Sequence, residues 1–170
     1  MITIPTLETE RLILRGWRDS DLDGFAALMA DPVYSRFIMG PLTRDGSWRG
    51  IALFIGHWAL RGFGHFALEE KSSGAFVGYC GPWFPHGFPE REIGWALLPT
   101  AQGKGYATEA AKRARDYAYN TLGWSTAISL IVPENIPSRR VAERLGAKLD
   151  GTVHYRDKAC GIYRHPPPAK

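Results

Sequence analysis

A short glycine-containing segment, Gln102 to Ala107 (Gln-Gly-Lys-Gly-Tyr-Ala), has residue types and a spacing that suit phosphate binding. It follows an apolar strand pattern from Glu92 to Leu98 and precedes an alanine-rich helical pattern. The two glycines let the backbone turn tightly and direct successive N–H groups toward one point. The helix that follows adds the positive end of its dipole. The segment therefore predicts a site for a phosphate-bearing ligand.

Two widespread phosphate loops do not fit this segment. A nucleoside-triphosphate loop places Lys and then Ser or Thr after its second glycine, whereas Lys104 lies between the two glycines. A dinucleotide loop requires a third glycine, where Thr108 stands, and an acid about twenty residues later, where Ser125 stands. The phosphate-bearing ligand is therefore expected to belong to another class.

The pattern Gln102-x-x-Gly105-x-Ala107 after a strand resembles the coenzyme A loop of the GNAT acetyltransferase superfamily. Downstream, an apolar strand over 127–132 leads to Pro133-Glu134-Asn135-Ile136-Pro137-Ser138 and then to Leu145-Gly146-Ala147, which resembles the second half of the cofactor site. Upstream, residues 9–15 (Thr-Glu-Arg-Leu-Ile-Leu-Arg) resemble the opening strand of the branch that includes ribosomal-protein N-terminal acetyltransferases.

The resemblance implies an α+β fold with one twisted, mixed sheet of six or seven strands, helices on both faces and central strands that splay apart. We expect a single acyl-CoA N-acyltransferase domain over residues 1–165, followed by a disordered, proline-rich tail over residues 166–170. Strands are expected on both sides of the turn at 71–74, and the last two strands at 148–154 and 159–164.

The same resemblance implies an enzyme that moves an acetyl group from acetyl-CoA to a primary amine, without a metal ion or a covalent enzyme intermediate. The amine belongs either to a protein N-terminus or to a small molecule, and both alternatives stay open. A backbone N–H at Leu97 or Leu98 is expected to stabilise the oxyanion. The residues expected to contact the cofactor are Leu97, Leu98, Gln102, Gly103, Lys104, Gly105, Tyr106, Ala107, Asn135 and Ser138.

Glu92 is the candidate general base, because it lies on the strand beside the cofactor, and Glu90 is the second choice. A purely structural role for Glu92, as a hydrogen-bond partner of a neighbouring backbone group, is the alternative. Ser138 is the candidate proton donor to the leaving thiolate. Either Asn135 or Ser138 is alternatively expected to cap the helix that follows. Tyr155 and Tyr163 are further candidate donors, although tyrosines at such positions are more often packing residues.

Two amphipathic helices are expected before the cofactor segments. One has Leu22, Phe25, Ala26 and Met29 on its apolar face, and the other starts at Thr43 and ends at Gly62. The apolar face predicted for the second helix comprises Trp48, Ile51, Ala52, Ile55 and Ala59, which leaves His57 on the surface.

A loop is expected over residues 81–89, because it contains too many prolines and glycines for a strand. Its aromatic residues are expected either to cap the core or to line the acceptor pocket. His65, His86 and His154 are further candidate bases, since the ordinary pKa of histidine suits that role. None has a paired carboxylate that the spacing reveals, and isolated histidines are more often surface or core residues.

Composition supports a globular domain. The chain has 170 residues, of which 45% are hydrophobic, and includes six Trp and eight Phe. It contains no run of roughly eighteen apolar residues, as a membrane span needs, and no secretion signal, so a cytoplasmic location without membrane partners is expected. Cys80 and Cys160 are expected to be free, buried thiols.

The net charge of +4 is consistent with a polyanionic ligand, and basic residues cluster near the two cofactor segments. Lys104 and Arg139 are expected to contact phosphate, and nucleic acid is not expected as a partner. A non-catalytic acyl-CoA-binding regulatory module is the alternative function. The choice between a monomer and a homodimer stays open.

Overall fold

The computed structural model describes residues 3–169, which form one eight-stranded sheet with helices against both faces. The strands are β1 (Leu7–Glu8), β2 (Leu12–Arg15), β3 (Phe66–Glu70), β4 (Phe76–Trp83), β5 (Glu92–Leu97), β6 (Ile128–Ile131), β7 (Lys148–Tyr155) and β8 (Lys158–Arg164). The helices are α1 (Leu22–Ala30), α2 (Pro32–Ser35), α3 (Arg44–Arg61), α4 (Tyr106–Asn120) and α5 (Ile136–Arg144).

The strand order is β1-β2-β3-β4-β5-β6-β8-β7. All neighbouring strands are antiparallel except β5 and β6, which run parallel and pair only at Glu92 and Ile128. This arrangement confirms the predicted mixed sheet with splayed central strands. The predicted strand number was too low, because the chain reverses at residues 9–11 and the two residues of β1 pair back onto β2.

Side chains on alternate positions of the sheet enter two cores, one on each face. On β3, Phe66 and Leu68 enter the first core, whereas Ala67 enters the second. The first core is closed by α4, whose small Ala110, Ala111, Ala114 and Ala118 side chains are fully buried. The second core is closed by α1 and α3. The predicted helices on both faces are therefore confirmed.

The buried face of α3 differs from the prediction. Thr43 caps the helix as expected, by accepting a hydrogen bond from the Gly46 N–H (3.0 Å), and Gly62 ends it in the left-handed conformation. The buried residues are Ser47, Gly50, Ile51, Phe54, His57 and Trp58. Trp48 is instead 52% exposed. The small residues at 47 and 50 let α3 approach its neighbours closely, which turns His57 inward.

Strand β4 extends through Gly81 and Pro82 to Trp83, where a loop was predicted. Pro82 lies opposite Ile93 of β5, and the last β3–β4 pair is Phe66 with Cys80. The register directs the backbone nitrogen of Pro82 away from β5 and toward the β3 side of β4. The pairing with β3 ends at Cys80, so no β3 residue lies opposite Pro82. A missing N–H therefore costs this strand no ladder hydrogen bond.

The chain end lies partly within the described residues. The Pro166 carbonyl accepts a hydrogen bond from the Tyr119 hydroxyl (2.8 Å), next to the end of β8. Disorder of the tail over 166–170 stays a prediction, and Lys170 lies outside the described residues, as do Met1 and Ile2 of the predicted domain.

Candidate active site

Two cavities meet where β5 and β6 separate. We call the first the loop cleft, because segment 102–108 lines it together with the start of α5; its volume is about 480 Å³. We call the second the aromatic cavity, of about 420 Å³, which the first residues of β5, β6 and several aromatic side chains line. Both are lined by Phe37, Ile38, Trp95, Asn135 and Ser138. A ligand in the loop cleft can therefore extend to a group in the aromatic cavity.

The loop cleft contains a backbone anion site. Gly103 and Gly105 have φ angles of +75° and +83°, which glycine adopts without steric cost. Gly105 precedes the first residue of α4, so the N–H groups at the start of this 15-residue helix lack intrahelical acceptors. A side chain at Gly103 would meet no atom within 4 Å. The residues present thus fit a phosphate-bearing ligand.

Arg11, which lies just before β2, connects the loop at residues 103–105 to the N-terminal part of the sheet. Its Nη1 donates to the Lys104 carbonyl (2.9 Å), and its Nε donates to Glu109 of α4 (2.8 Å). Glu109 also accepts from the Thr9 hydroxyl (2.6 Å). The acid in the first turn of α4 is thereby held by Arg11 and Thr9. The loop conformation depends on these contacts as well as on its glycines.

Lys104 and Arg139, the two cations that the sequence suggested, are not among the residues that line the loop cleft, and their contact with phosphate stays a prediction. The Lys104 ammonium lies 3.8 Å from the Glu70 carboxylate. The backbone carbonyl of Lys104 accepts the hydrogen bond from Arg11 that is described above. The Arg139 guanidinium donates to the Tyr163 hydroxyl (3.0 Å). The arginines that line the cleft are Arg36, Arg140 and Arg144. Arg140 and Arg144 belong to the basic residues that cluster near the cofactor segments in the sequence, but neither spacing nor periodicity reveals which side of α5 faces the cleft. Arg36 was not predicted, because it lies far from these segments in the sequence.

The separation of β5 from β6 leaves backbone donors of β5 without a strand partner, and the Leu97 N–H is one of them. The Leu98 N–H donates to the Val77 carbonyl (2.9 Å), and Leu97 lies opposite Gly78. In an antiparallel pair with this pattern, the Leu97 N–H is directed to the other edge of β5, into the gap. Gln102 fixes the same edge, since its side-chain amide donates to the Leu97 carbonyl (3.2 Å).

The two carboxylate oxygens of Glu92 have different surroundings. Oε1 accepts a hydrogen bond from the Leu130 N–H of β6 (2.9 Å), which is the structural contact considered as the alternative role. Oε2 faces the aromatic cavity beside Gly94, and no hydrogen-bond partner for it occurs among residues 3–169. Burial raises the pKa of Glu92 to about 7, although the Leu130 N–H opposes this shift. One oxygen is therefore fixed and the other is open to a ligand.

Asn135, and not Ser138, caps α5. The Asn135 Oδ1 accepts a hydrogen bond from the Ser138 N–H (3.3 Å). Within residues 3–169 the Ser138 hydroxyl has no hydrogen-bond partner, and the residue lines both cavities. The capping alternative thus applies to Asn135 and leaves the Ser138 hydroxyl available.

Two of the second-choice candidates, Glu90 and Tyr163, already have hydrogen-bond partners. Glu90 accepts two hydrogen bonds from Arg164 (2.9 and 3.0 Å), so its carboxylate is held at the sheet. Tyr163 is buried and accepts from Arg139. Tyr155 does line the aromatic cavity, where its ring packs against Phe88 with centroids 4.8 Å apart.

Sequence reasoning missed a stacked cluster of two histidines and Trp83 at the wall of the aromatic cavity, although it gave the aromatic residues of 81–89 as possible pocket-lining groups. Trp83 is stacked between His57 and His65, with ring centroids 4.2 and 4.6 Å apart, respectively. His57 is buried, contrary to the prediction, and both of its ring nitrogens have backbone partners, Phe63 and Phe84. His65 also lines the cavity. The one-residue error in the buried face of α3 concealed this cluster.

The β7–β8 hairpin borders the aromatic cavity on its outer side. The tip of the hairpin reaches across to the residues after α2, because Lys158 Nζ donates to the Arg36 carbonyl (2.6 Å). On the same hairpin, Tyr155 contacts Phe88 of the segment between β4 and β5. These contacts narrow the cavity on this side without enclosing it.

Comparisons with known proteins identify the class. Residues 11–148 match the acetyltransferase (GNAT) domain family. The uncharacterized N-acetyltransferase YnaD of Bacillus subtilis (strain 168) is 42% identical over 146 residues, which are 85% of this chain and 84% of that protein. The acetyltransferase of Agrobacterium tumefaciens str. C58 has a crystal structure that matches with a TM-score of 0.87 at 34% identity, covering 98% of this chain and 96% of that chain. The chain therefore belongs to the GNAT acetyltransferase family and is an acetyltransferase, as predicted.

More distant structures share the fold. They include the ribosomal-protein-S5-alanine acetyltransferase of Vibrio fischeri, with a TM-score of 0.71 at 17% identity over 95% of this chain and 96% of that chain. They also include the spermidine N-acetyltransferase of Vibrio cholerae in complex with CoA and spermine, with a TM-score of 0.72 at 19% identity over 92% and 94% of the two chains. The structural neighbours thus include the predicted ribosomal-protein branch.

Residues 3–169 contain neither a candidate metal site nor a candidate membrane span. No group of three or more His, Cys, Asp or Glu side chains there could hold a metal ion. None of the helices in that part of the chain is both long and apolar enough to cross a membrane. Both cysteines, Cys80 and Cys160, are free and buried, as predicted.

The pKa of Glu92 predicts a pH-dependent stability. Its pKa is about 7 in the folded protein and 4.5 as the ordinary value, so between these pH values the folded state retains a proton that the unfolded state has lost. The free energy of unfolding is expected to fall by about 3 kcal/mol from pH 4.5 to 7 through this group. Denaturant unfolding at several pH values measures it.

Glu92→Gln is the matched variant, because its amide oxygen still accepts from Leu130 but cannot titrate. The stability difference between this variant and the wild type is expected to grow in favour of the variant as pH rises from 4.5 to 7. A difference that does not change with pH would contradict the assignment.

Proposed function

We propose that this chain is an N-acetyltransferase that moves an acetyl group from acetyl-CoA to the primary amine of a small molecule by direct attack in a ternary complex. The observation that carries the proposal is the junction of the two cavities. A backbone anion site lies in one cavity, a half-buried carboxylate with one open oxygen lies in the other, and Ser138 lines both.

The loop cleft is the proposed site of the cofactor. Acetyl-CoA supplies an activated thioester, and its pyrophosphate is expected to bind the N–H groups of segment 103–107 near Arg140 and Arg144. Family membership supports this choice, as does a structure of shared fold that was solved with CoA bound. Because Gln102 and Asn135 are held in backbone contacts, their proposed role is to shape the cleft rather than to bind phosphate.

Three groups of the chain meet the chemical demands of the transfer. Glu92 Oε2 takes a proton from the acceptor ammonium, and a pKa near neutrality suits a general base. The Leu97 N–H donates to the carbonyl oxygen on which negative charge develops as the C–N bond forms. The Ser138 hydroxyl gives a proton to the sulfur as the C–S bond breaks, and solvent returns to Ser138 the proton that the amide nitrogen releases.

The narrowed cavity favours a small molecule over a protein N-terminus. A folded acceptor needs an open slot, whereas contacts of the hairpin with Arg36 and Phe88 narrow the outer side here. The known acceptor of the spermidine enzyme, which shares the fold, is also a small amine.

The proposal predicts thiol release from acetyl-CoA in the presence of small primary amines. The value of kcat/KM is expected to rise with pH through about 7, as Glu92 loses its proton. Glu92→Gln should lower kcat by roughly 100-fold or more and remove this rise. CoA binding without thiol release across a broad amine panel would instead identify an acyl-CoA-binding regulatory module, and transfer only to peptide N-termini would refute the small-molecule acceptor.

Gly105→Glu tests the anion site. The new carboxylate would lie beside the pyrophosphate, so CoA affinity measured by calorimetry should fall at least about tenfold, which corresponds to ~1.4 kcal/mol. Gly62→Glu is the matched control, because Gly62 has a similar φ of +74° at the end of α3 and no atom within 4 Å of its added Cβ. Equal CoA affinities of the two variants would contradict the site.

Ser138→Ala tests the proton donor. The helix cap is kept, because Asn135 binds the backbone N–H of residue 138. Turnover should fall by about 100-fold while the dissociation constant of CoA is unchanged. Ser125→Ala, at an exposed turn, provides the control. Turnover equal to that of the wild type would exclude Ser138 as the donor.

A further inference from the structure

A buried row of polar side chains links α4 to the place where β5 and β6 separate. The Ser129 hydroxyl of β6 donates to the Ile93 carbonyl of β5 (2.7 Å) and lies 2.9 Å from His165 Nε2. On the other side of the ring, Arg115 Nη1 of α4 lies 3.3 Å from His165 Nδ1. Ser129 and His165 are only 2% and 3% exposed, so water does not compete for these contacts.

The partners fix where each proton lies along this row. A backbone carbonyl only accepts, so the single hydroxyl proton of Ser129 is given to Ile93, and His165 Nε2 must donate to the Ser129 oxygen. A guanidinium only donates, so His165 Nδ1 accepts from Arg115. His165 is therefore a neutral ring with its proton on Nε2. Burial, with a smaller contribution from Arg115, lowers the pKa of His165 to about 4, which agrees with a neutral ring.

Backbone contacts hold the row at its far end. The His165 N–H donates to the Ala127 carbonyl just before β6 (2.9 Å), and Arg115 Nη1 also donates to the Leu145 carbonyl at the end of α5 (2.7 Å). The first residues of α4 and of α5 line the loop cleft. The row therefore connects the two helices of the loop cleft with the gap between β5 and β6.

The row reaches β5 where the strand pairing stops. Glu92 and Ile128 form the backbone pair of the two strands, and Ile93 and Ser129 are the next residue of each strand. The residue after Ser129 is Leu130, whose N–H donates to Glu92 Oε1 (2.9 Å). A displacement of Ser129 from Ile93 would therefore move the Leu130 N–H away from the carboxylate.

We propose that Ser129, His165 and Arg115 form a positioning chain, which sets the distance between β5 and β6 and thereby holds the Leu130 N–H against Glu92. The inference rests on the proposed function for the role of Glu92 as the base, and it adds the residues that place this base. The positioning chain transfers no proton in the reaction. It acts only through the position of Glu92, so it can be tested without turnover.

The wild type provides a test that needs no substitution. Long-range 1H–15N correlation spectra of the whole chain at pH 7 should show His165 as the neutral ring with its proton on Nε2. A proton on Nδ1, or a charged ring, would overturn the positioning chain, because the Arg115 contact would then be lost.

Two variants interrupt the positioning chain. Ser129→Ala removes the hydroxyl, and His165→Phe keeps an aromatic ring but removes both nitrogens. The titration of Glu92 is followed by the NMR signals of its carboxyl carbon and of the Leu130 amide. Because the Leu130 N–H is the contact that lowers the pKa of Glu92, the titration midpoint should move upward from about 7 by at least about half a pH unit in both variants. The pH-dependent shift of the Leu130 amide signal should fall to about half or less.

The chain offers a rescue variant and a matched control. His165→Gln has an amide nitrogen that can donate to Ser129 in place of Nε2, so it should restore most of the wild-type titration. Ser47→Ala is the control, because Ser47 is also fully buried and its hydroxyl also donates to a backbone carbonyl, that of Thr43 (3.0 Å), but on α3. It should leave the titration of Glu92 unchanged.

The other titratable and charged groups around Glu92 stay the same in all these variants. Those that line the aromatic cavity are His65, Tyr79, Tyr155, Arg156, Lys158 and Cys160. A changed midpoint is therefore attributable to the positioning chain.

The pH dependence of transfer is the second measurement. In Ser129→Ala and His165→Phe, kcat/KM at pH 7 should be at least about twofold below that of the wild type, and its midpoint should move upward as the NMR midpoint does. The CoA dissociation constant should stay within about threefold of the wild-type value, which also shows that the variant is folded.

The outcomes separate the positioning chain from the proposed function. An unchanged or lowered Glu92 midpoint in folded Ser129→Ala and His165→Phe would overturn the positioning chain, as would His165→Gln behaving like His165→Phe. Acetyl transfer by the wild type would still support the function in that case. A wild type and variants with the expected titrations, but without thiol release by the wild type, would refute the transfer and support the positioning chain.

Discussion

The separation of β5 from β6 is the constraint on which the candidate site depends. The two strands run parallel and pair through the backbone only at Glu92 and Ile128. Side chains then replace the missing ladder: the Ser129 hydroxyl donates to the Ile93 carbonyl (2.7 Å), and Glu92 accepts from Leu130. Beyond these contacts this edge of β5 has no strand partner within residues 3–169, and Gln102 holds the Leu97 carbonyl. Both cavities open along this edge, and their junction is the place where a donor and an acceptor can meet.

The same separation explains why Glu92 combines a structural and a chemical role. Because Oε1 takes the place of a backbone acceptor for Leu130, the carboxylate is held in a half-buried position. Burial raises its pKa, while Oε2 remains directed into the cavity. The two interpretations considered from the sequence therefore do not exclude each other, since each applies to a different oxygen of one side chain.

Local patterns predicted the parts of the molecule that depend on neighbouring residues. The glycines at 103 and 105, the cap at Thr43 and the end at Gly62 follow from backbone chemistry that a short segment determines. The resemblance to the family added the mixed, splayed sheet. Contacts between segments that are distant in the sequence could not be predicted from such patterns. The buried face of α3 depends on how closely Ser47 and Gly50 approach α1, and the error there hid His57 and the stacked cluster around Trp83.

The most direct test of one continuous transfer site is a crystal structure of the chain with coenzyme A bound. The pyrophosphate is expected against the N–H groups of residues 103–107. The thiol is expected at the junction of the two cavities, beside Trp95 and Ser138 and facing Glu92 across the aromatic cavity. A pyrophosphate bound elsewhere, or a thiol directed away from this junction, would contradict the central claim that both cavities serve a single acetyl transfer.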